Sequence, residues 1–396
     1  MRMDRFGEKV LCNPTVKLTK GTKYPLIDID KIIPGYKWVT NQEVVEYSGQ
    51  SGAKFEDGDI LFARITPCLE NGKMAIAKTD GQKGIGSTEL FVFRGIDNMS
   101  VTDYVYYLLC MKHMRQLAAN SMTGASGRQR ADLTFIKRIK WQFPSVQDQN
   151  RIVSVLSAYD SLIENNNKRI KALEQMAENL YKEWFVRFRF PGYETAEFEN
   201  GIPKGWEYKR AEEVIEFNPT IKTNNQMFFT IIPMEALSTT SMVLDSSCFV
   251  KQETITGKRS QNGDTLFAKI TPCLENGKTG FVMGLADDEI AGGSTEFIVL
   301  RSKSLTPHYV YCLARSHYFR QTAILSMNGA DGRQRVDERK LKSTKVLQPT
   351  GIALNSFEKF VSPIFDIIFK LTQKNKVLAK QRDLLLPRLM SGKLEV

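Results

Sequence analysis

Residues 61–73, LFARITPCLENGK, come back almost letter for letter as LFAKITPCLENGK at 266–278, in a chain that is otherwise not low-complexity. The register of 205 residues, the distance from Leu61 to Leu266, holds elsewhere. Asn13-Pro14-Thr15 returns as Asn218-Pro219-Thr220, and Gly127-Arg128-Gln129-Arg130 as Gly332-Arg333-Gln334-Arg335. Gly86-Ser87-Thr88-Glu89 returns with a slip of two residues, as Gly293-Ser294-Thr295-Glu296. A period this long is the duplication of a whole module and not a solenoid, whose units are shorter and more numerous. A chain of 396 residues exceeds what one core usually organises, so each module is expected to bury its own interior. Two matching modules suggest a target with two matching parts.

A hydrophobic content of 42% places the chain among ordinary folded proteins and argues against disorder. Its longest apolar stretches, such as 104–111, are too short to span a bilayer, and the start MRMDRFGEK has no apolar signal-peptide core. The expected setting is the cytosol, with no membrane partner. The six cysteines show no CxxC spacing, so reduced thiols packed as small apolar groups are expected and no metal site. The net charge of +11 points towards a polyanion, because neutralising a phosphate releases condensed counterion.

Strands are expected at 25–29, 60–65 and 90–93, the last with a counterpart at 297–300. Apolar residues at successive positions, as in 90–93, imply a strand covered on both faces. Helical periodicity follows over 104–119, signalled by Thr102-Asp103 and in the second copy by Thr306-Pro307, a capping residue before a proline. Between the modules the residues Ile152, Leu156, Tyr159, Ile163, Asn166, Ile170, Leu173, Ala177, Leu180 and Trp184 recur in steps of four and three, a heptad seam. Phe357, Val361, Ile364, Ile368, Leu371, Asn375, Leu378, Arg382, Leu385 and Leu389 repeat it near the C-terminus. Ser362-Pro363 is expected to kink or restart this second helix, and Pro387 to loosen its last turn.

The simplest partner for each seam is the other. The expected fold is α+β: two similar mixed modules joined by two long antiparallel helices in a coiled coil, with internal pseudo-twofold symmetry. Asn166 matches Leu371 in the repeat and Asn375 matches Ile170, yet antiparallel pairing centred near Lys168 and Gln373 places Asn166 opposite Asn375. Such a buried pair fixes register, the competing reading being two solvated asparagines. About 38 helical residues would hold the modules ~57 Å apart. Trp184, Phe185 and Leu386 exceed what a two-helix seam needs and read as outer docking surfaces.

Catalytic signals are sparse. His113, His308 and His317 are not spaced as a metal site. The Asn-Pro-Thr pairs lack the aromatic residue that stacks on a flipped base in amino-group methyltransferases, Gly84-Ile85-Gly86 is too short for a methyl-donor loop, and no Walker motif is present. Glu338-Arg339-Lys340 after Asp331 has no counterpart in the first copy and reads as solvated surface. Polyanion binding has better support. Arg128, Gln129 and Arg130, with Arg333, Gln334 and Arg335, put guanidinium forks and an amide on glycine-rich loops that suit phosphates and base edges. The second loop differs by Asp331 in place of Ser126. Arg64, Thr66 and Lys73, their copies Lys269, Thr271 and Lys278, and the hydroxyls of Ser87, Thr88, Ser294 and Thr295 complete the candidate DNA-binding set. Asn71-Gly72 can equally be only a turn, and Arg128 a helix cap.

The two TPCLENGK motifs, the GSTE motifs, and the helix endings LEQMAENLYKEWF and KQRDLLLPRLMSGKL together resemble the specificity subunit of Type I restriction-modification systems, over essentially the whole chain. The resemblance implies target recognition domains at 1–145 and 191–350, a central spacer helix at 146–190 and a distal one at 351–396. It implies that each recognition domain reads one half of a bipartite site in double-stranded DNA. The helices would act as the ruler and dock two methyltransferase (M) subunits, with restriction (R) subunits joining. It also implies no catalysis and no cofactor in this chain, S-adenosylmethionine, ATP and magnesium being bound by the partners. The N-terminus, beginning at Arg2 to Phe6, lacks the Gly-Ile-Pro-Lys-Gly-Trp lead-in that opens the second domain at Gly201. Residues 34–51 and 239–256 share little, so these segments are expected to help choose bases while the repeated loops grip backbone. A stand-alone two-headed DNA-binding regulator and a self-contained restriction-methylation enzyme are the competing readings.

Overall fold

The computed structural model describes residues 3–40, 43–125, 127–222, 227–330 and 332–394. These form two compact units, one from Met1–Glu164 with Lys376–Val396 and one from Asn165–Asn375. In the first, the strands of the two main sheets are β1 (Val10–Cys12), β2 (Lys23–Ile27), β3 (Trp38–Val39), β4 (Val44–Glu46), β5 (Ala53–Phe55), β6 (Ile60–Ala63), β7 (Met74–Ala77), β8 (Gly84–Gly86) and β9 (Leu90–Gly95). They build a five-stranded sheet in the order β1-β9-β6-β7-β3 and a four-stranded sheet in the order β4-β2-β8-β5. The expectation of strands covered on both faces holds in detail. Phe91 and Phe93 of β9, with Ile60 and Phe62 of β6, enter one core with Tyr104 and Leu108. Leu90, Val92, Leu61 and Ala63 enter another with Ile27 and Phe55 of the second sheet. Each buried Leu, Ile, Val or Phe among them contributes roughly 1.5–3 kcal/mol. A Cβ at Gly84 would run into the Phe55 ring, so this glycine serves close packing of the strand and not a ligand loop.

Three short helices follow: α1 (Thr102–Cys110), α2 (Lys112–Asn120) and α3 (Leu133–Arg138). The single helix expected over 104–119 is thus broken, with Met111 extended at φ −62° and ψ 134°. The cause lies in burial. Tyr104 through Leu109 are buried all round, whereas α2 is amphipathic, burying only Met114 and Ala118, so one straight rod cannot serve both environments.

The second unit repeats this plan with β10 (Ile215–Phe217), β11 (Phe229–Ile232), β12 (Val250–Gln252), β13 (Thr265–Ala268), β14 (Thr279–Phe281), β15 (Ala291–Gly293) and β16 (Phe297–Ser302). The sheets run β10-β16-β13-β14 and β12-β11-β15. Register is kept as well: Leu90 faces Ala63 in the first unit as Phe297 faces Ala268 here.

The long helix α4 (Val146–Tyr181) starts at Ser145, whose hydroxyl accepts from the Asp148 amide at 3.2 Å, and ends in a wider π turn over Lys182–Val186. The helices α5 (Pro307–Arg315), α6 (His317–Leu325) and α7 (Glu338–Ser343) match α1 to α3, with Pro307 at N1 behind Thr306, and α8 (Gly351–Met390) closes the chain. Ser362-Pro363 does not restart α8, which is unbroken across both prolines.

Inside the first unit, residues 146–164 and 376–390 run antiparallel: Asp160 meets Arg382, while Ile152 and Leu156 share a core with Leu386, Leu389 and Met390. Inside the second, Asn166 Nδ2 donates to Asn375 Oδ1 at 2.8 Å, and Trp184 packs on Phe357 at 5.9 Å between ring centroids, again antiparallel. Asn375 Nδ2 also donates to Asn167 Oδ1 at 2.8 Å, making a trio where a pair was expected. The reading of Trp184, Phe185 and Leu386 as docking surface is overturned, because all three are buried. The π turn carries Trp184 and Phe185 into the core with Tyr309 and Trp206. The outward apolar side chains on the two long helices instead include Leu162, Met176, Ile352, Phe360, Ile367, Val377 and Leu384.

Candidate nucleic-acid interface

The repeated motif is first a backbone device. In the first unit the chain makes one helical turn at 65–72, with Leu69 N–H donating to Ile65 O and Asn71 N–H to Pro67 O. Gly72, at φ +72°, closes it: Gly72 N–H reaches Leu69 O at 2.9 Å and Lys73 N–H reaches Cys68 O at 2.9 Å, a Schellman closure. Gly277 and Lys278 close the second copy in the same way on Leu274 and Cys273. Leu69 and Leu274 are buried beneath. The Asn-Gly step is therefore a helix end and not a hairpin turn, and the lysines turn inward. Lys73 Nζ donates to Ile29 O at 2.9 Å, and Lys278 Nζ to Met234 O at 3.1 Å.

The glycine-rich loop is laced onto this turn. Thr66 N–H donates to Gln129 O at 3.0 Å, and Gln129 N–H returns to Thr66 Oγ1 at 3.1 Å. Thr271 and Gln334 repeat both bonds, each at 3.1 Å. The loop closes on itself where Arg130 pairs with Thr123, and Arg335 with Asn328.

Arg130 and Arg335 are committed within the fold. Arg130 grips Glu89 with two bonds, Nε to Oε2 at 2.8 Å and Nη2 to Oε1 at 2.5 Å. Arg335 grips Glu296 likewise, Nε to Oε2 at 3.0 Å and Nη2 to Oε1 at 2.7 Å. These bonds, and then the arginine charge, hold the carboxyls of Glu89 and Glu296 below the ordinary glutamate range. Ser87 and Ser294 shape the same turn by accepting from the Glu89 and Glu296 amides at 3.2 and 3.1 Å. The acids were the signal that sequence reasoning passed over: each ends a GSTE motif. A folded carboxyl held low contributes stability that is complete above the ordinary carboxylate range and is lost as pH falls through its lowered value. We expect the wild-type unfolding midpoint to drop in that acid window, and the Glu89→Gln/Glu296→Gln chain to lack this component; identical pH profiles would show that the clasps contribute nothing.

Arg128 and Arg333 differ. Both are exposed, with no side-chain partner among the described residues, each next to the glutamine whose backbone is tied to the turn. The amides of Gln129 and Gln334 are likewise uncommitted and half-buried. Asp132, not Arg128, caps the following helix, accepting from Thr134 N–H at 2.7 Å. Arg64 stacks over Phe91 at 4.8 Å, and Lys269 sits 3.6 Å from Glu338. No side-chain partner is found for Thr88 or Thr295 among the described residues. Ser126 and Asp331, the difference between the loops, lie outside the described residues.

Two other sequence readings resolve here. Asn13 and Asn218 adopt φ +51°, and their side chains accept from Val92 and Val299 N–H at 2.8 and 3.1 Å, so Asn-Pro-Thr is a strand-pairing corner. Glu338 is not solvated surface: it accepts from Asn218 Nδ2 at 2.9 Å and ties that corner to α7.

A buried charge network in the first unit had no sequence signal. Asp160, 4% exposed, accepts from Tyr107 Oη at 2.5 Å and from Arg382 Nη1 at 2.5 Å. Lys37, 3% exposed, reaches Asp103 at 2.5 Å and donates to Tyr107 Oη at 3.3 Å. Beside it lies a cavity of about 500 Å³ whose walls include Gly35, Gly72, Cys110, Arg115 and Arg382. Among the described residues no group of three or more acidic, histidine or cysteine side chains is placed to hold a metal, and no helix is long and apolar enough to cross a membrane.

Residues 9–175 match the family model described as Type I restriction modification DNA specificity domain. The chain is 26% identical to the Type I restriction enzyme MjaIX specificity subunit of Methanocaldococcus jannaschii, over 86% of this chain and 79% of that protein. It is 34% identical to the EcoEI specificity subunit of Escherichia coli, over 44% of this chain and 31% of that one. In fold it is similar to the crystal structure of the Type-I restriction-modification system S subunit from M. genitalium, with TM-score 0.54 at 12% identity, covering 98% of this chain and 95% of the other. Residues 9–175 thus match the Type I restriction modification DNA specificity domain, and most of the chain is similar to a specificity subunit of such a system.

Proposed function

We propose that this chain is the DNA-specificity subunit of a Type I restriction-modification complex. The observation that carries this reading is the pair of exposed arginines, Arg128 and Arg333, held at equivalent tips of two like-built loops. Among the described residues their charge has no partner, whereas the neighbouring arginines are spent on the fold. The recognition domains are 1–145 and 191–350, related by pseudo-twofold symmetry, and each takes one half of a bipartite site in double-stranded DNA. The candidate set divides by task. Arg128, Gln129, Arg333 and Gln334 meet the DNA first, with Thr88 and Thr295 available beside them. Arg64, Thr66, Lys73, Ser87, Arg130 and their copies Lys269, Thr271, Lys278, Ser294 and Arg335 hold the loops in shape and lend positive field. Residues 34–51, of which 41 and 42 lie outside the described residues, and 239–256 help choose the bases.

The chain itself carries no catalysis in this reading. Modification subunits supply methyl transfer with S-adenosylmethionine, and restriction subunits bring ATP and magnesium. The spacer helices at 146–190 and 351–396 dock the modification subunits through outward apolar side chains such as Leu162, Met176, Val377 and Leu384. This favours the complex over a stand-alone regulator, which has no use for such a surface. Sequencing methylated sites in the host with and without this chain tests the reading: one bipartite motif should vanish with the chain, and an unchanged methylome would refute it.

Asn166 and Asn375 set the helix register, and the helices set the unread spacer. Four residues inserted after Asn166 lengthen a helix by ~6 Å, which at ~3.4 Å per base pair should widen the spacer by about one or two pairs. A change in the half-sites at constant spacer would count against a ruler.

A further inference from the structure

The two base-choosing segments are tethered to the long helices by different chemistry. In the first unit, Arg382 of α8 donates from Nη1 to Gly35 O at 3.3 Å while binding Asp160 of α4 at 2.5 Å. Lys37, two residues along the same segment, joins that network through Tyr107 Oη. In the second unit the equivalent place is held by an anion: Glu174 of α4 accepts from Met242 N–H at 2.8 Å, and Met242 is the repeat counterpart of Lys37. Arg315 of α5 adds a strut there, donating to Thr239 O and Gly277 O, both at 3.2 Å.

The first unit has Cys110 where the second has Arg315, and the cavity of about 500 Å³ lies beside it, walled by Gly35 and Gly72. The duplication thus acts as an internal control. One segment is braced by its own domain helix and by Glu174. The other sits over a void and is held by Arg382 and Lys37.

We infer that Arg382 and Glu174 are positioning residues for base choice, each governing one half-site only, with Arg382 acting through the Asp160–Tyr107–Lys37 network on residues 34–37. A charged tether suits this role because it is directional and anchored on a helix, whereas the residues it holds, 34–37 and Met242, lie outside the strands. The inference rests on the reading of this chain as a DNA-specificity subunit.

The test compares full-length chains, each assembled with its modification subunits, by in vitro selection from random duplex DNA, scored separately at the two half-sites. Asp160→Asn/Arg382→Gln removes the tether without leaving a buried lone charge. It should cost about tenfold in discrimination at one half-site and leave the other unchanged, a size set by the usual cost of one misread pair. Glu174→Ala should do the reverse. Cys110→Arg, placed on the Asp160→Asn/Arg382→Gln background, supplies the strut that the second unit owns and should restore the lost discrimination. Equal loss at both half-sites is what mere destabilisation predicts, and it would overturn the assignment, as would a tether variant that folds and selects like wild type. Should the paired variant fold poorly, the Glu174→Ala pattern decides: loss at both half-sites or at neither overturns the proposal. A wild-type complex that selects no bipartite motif would overturn the functional reading itself, a result distinguishable from these.

Discussion

Arg382→Met should lower the stability of the unit containing Asp160 by about 3–5 kcal/mol, among the largest effects of any single substitution in this chain. Asp160 is 4% exposed and the Arg382 side chain is 12% exposed, so the pair lies outside the class of surface ion pairs worth less than about 1 kcal/mol. Removing the guanidinium leaves a buried carboxylate with one remaining side-chain hydrogen bond, from Tyr107. The partnered change Asp160→Leu/Arg382→Met should recover most of the loss, because two apolar groups of similar volume no longer strand a charge. Hydrogen exchange along 146–164, read with urea unfolding, checks both variants. A single-variant loss below about 1 kcal/mol would mean the pair is solvated.

Arg128→Ala/Arg333→Ala should weaken DNA binding by about a hundredfold, with each single change near tenfold, while the unfolding midpoint stays at the wild-type value. The asymmetry with their neighbours is the point. Arg130→Ala should instead loosen the loop, since it frees Glu89 and removes the bidentate grip. If Arg128 and Arg333 touch phosphate, the slope of log affinity against log salt should become shallower by about 0.9 for each phosphate no longer neutralised. If they read bases, the slope should hold while site preference relaxes. Fluorescence anisotropy across a salt series separates these outcomes. Full affinity in the double variant would remove these residues from the interface.

Much of the architecture is legible in the chain alone. The repeat announces two modules, successive apolar residues announce strands buried on both faces, and four-three spacing announces two long helices. The opposition of Asn166 and Asn375 follows from antiparallel counting along those seams. Each of these is a local or periodic property, and period survives in the chain because a strand or a helix repeats its geometry every few residues. The misreadings share a different origin. Trp184, Phe185 and Leu386 read as surface because a two-helix seam has no room for them, yet a single π turn and the adjoining cores enclose all three. The break at Met111 is invisible in sequence for the same reason: burial on all sides is a fact about neighbours.

The candidate interface divides along the same line. Arginines, threonines and lysines in repeated glycine-rich loops mark the candidate region, since residue type and repetition are written along the chain. Which guanidinium is spent on a carboxylate and which remains for a ligand is not written there. Arg130 and Glu89 are 41 positions apart, and Arg382 and Asp160 are 222 apart. Their pairing depends on folded distances of under 3 Å, where charge and hydrogen bonding decide, and the chain reaches those distances only after its cores have packed.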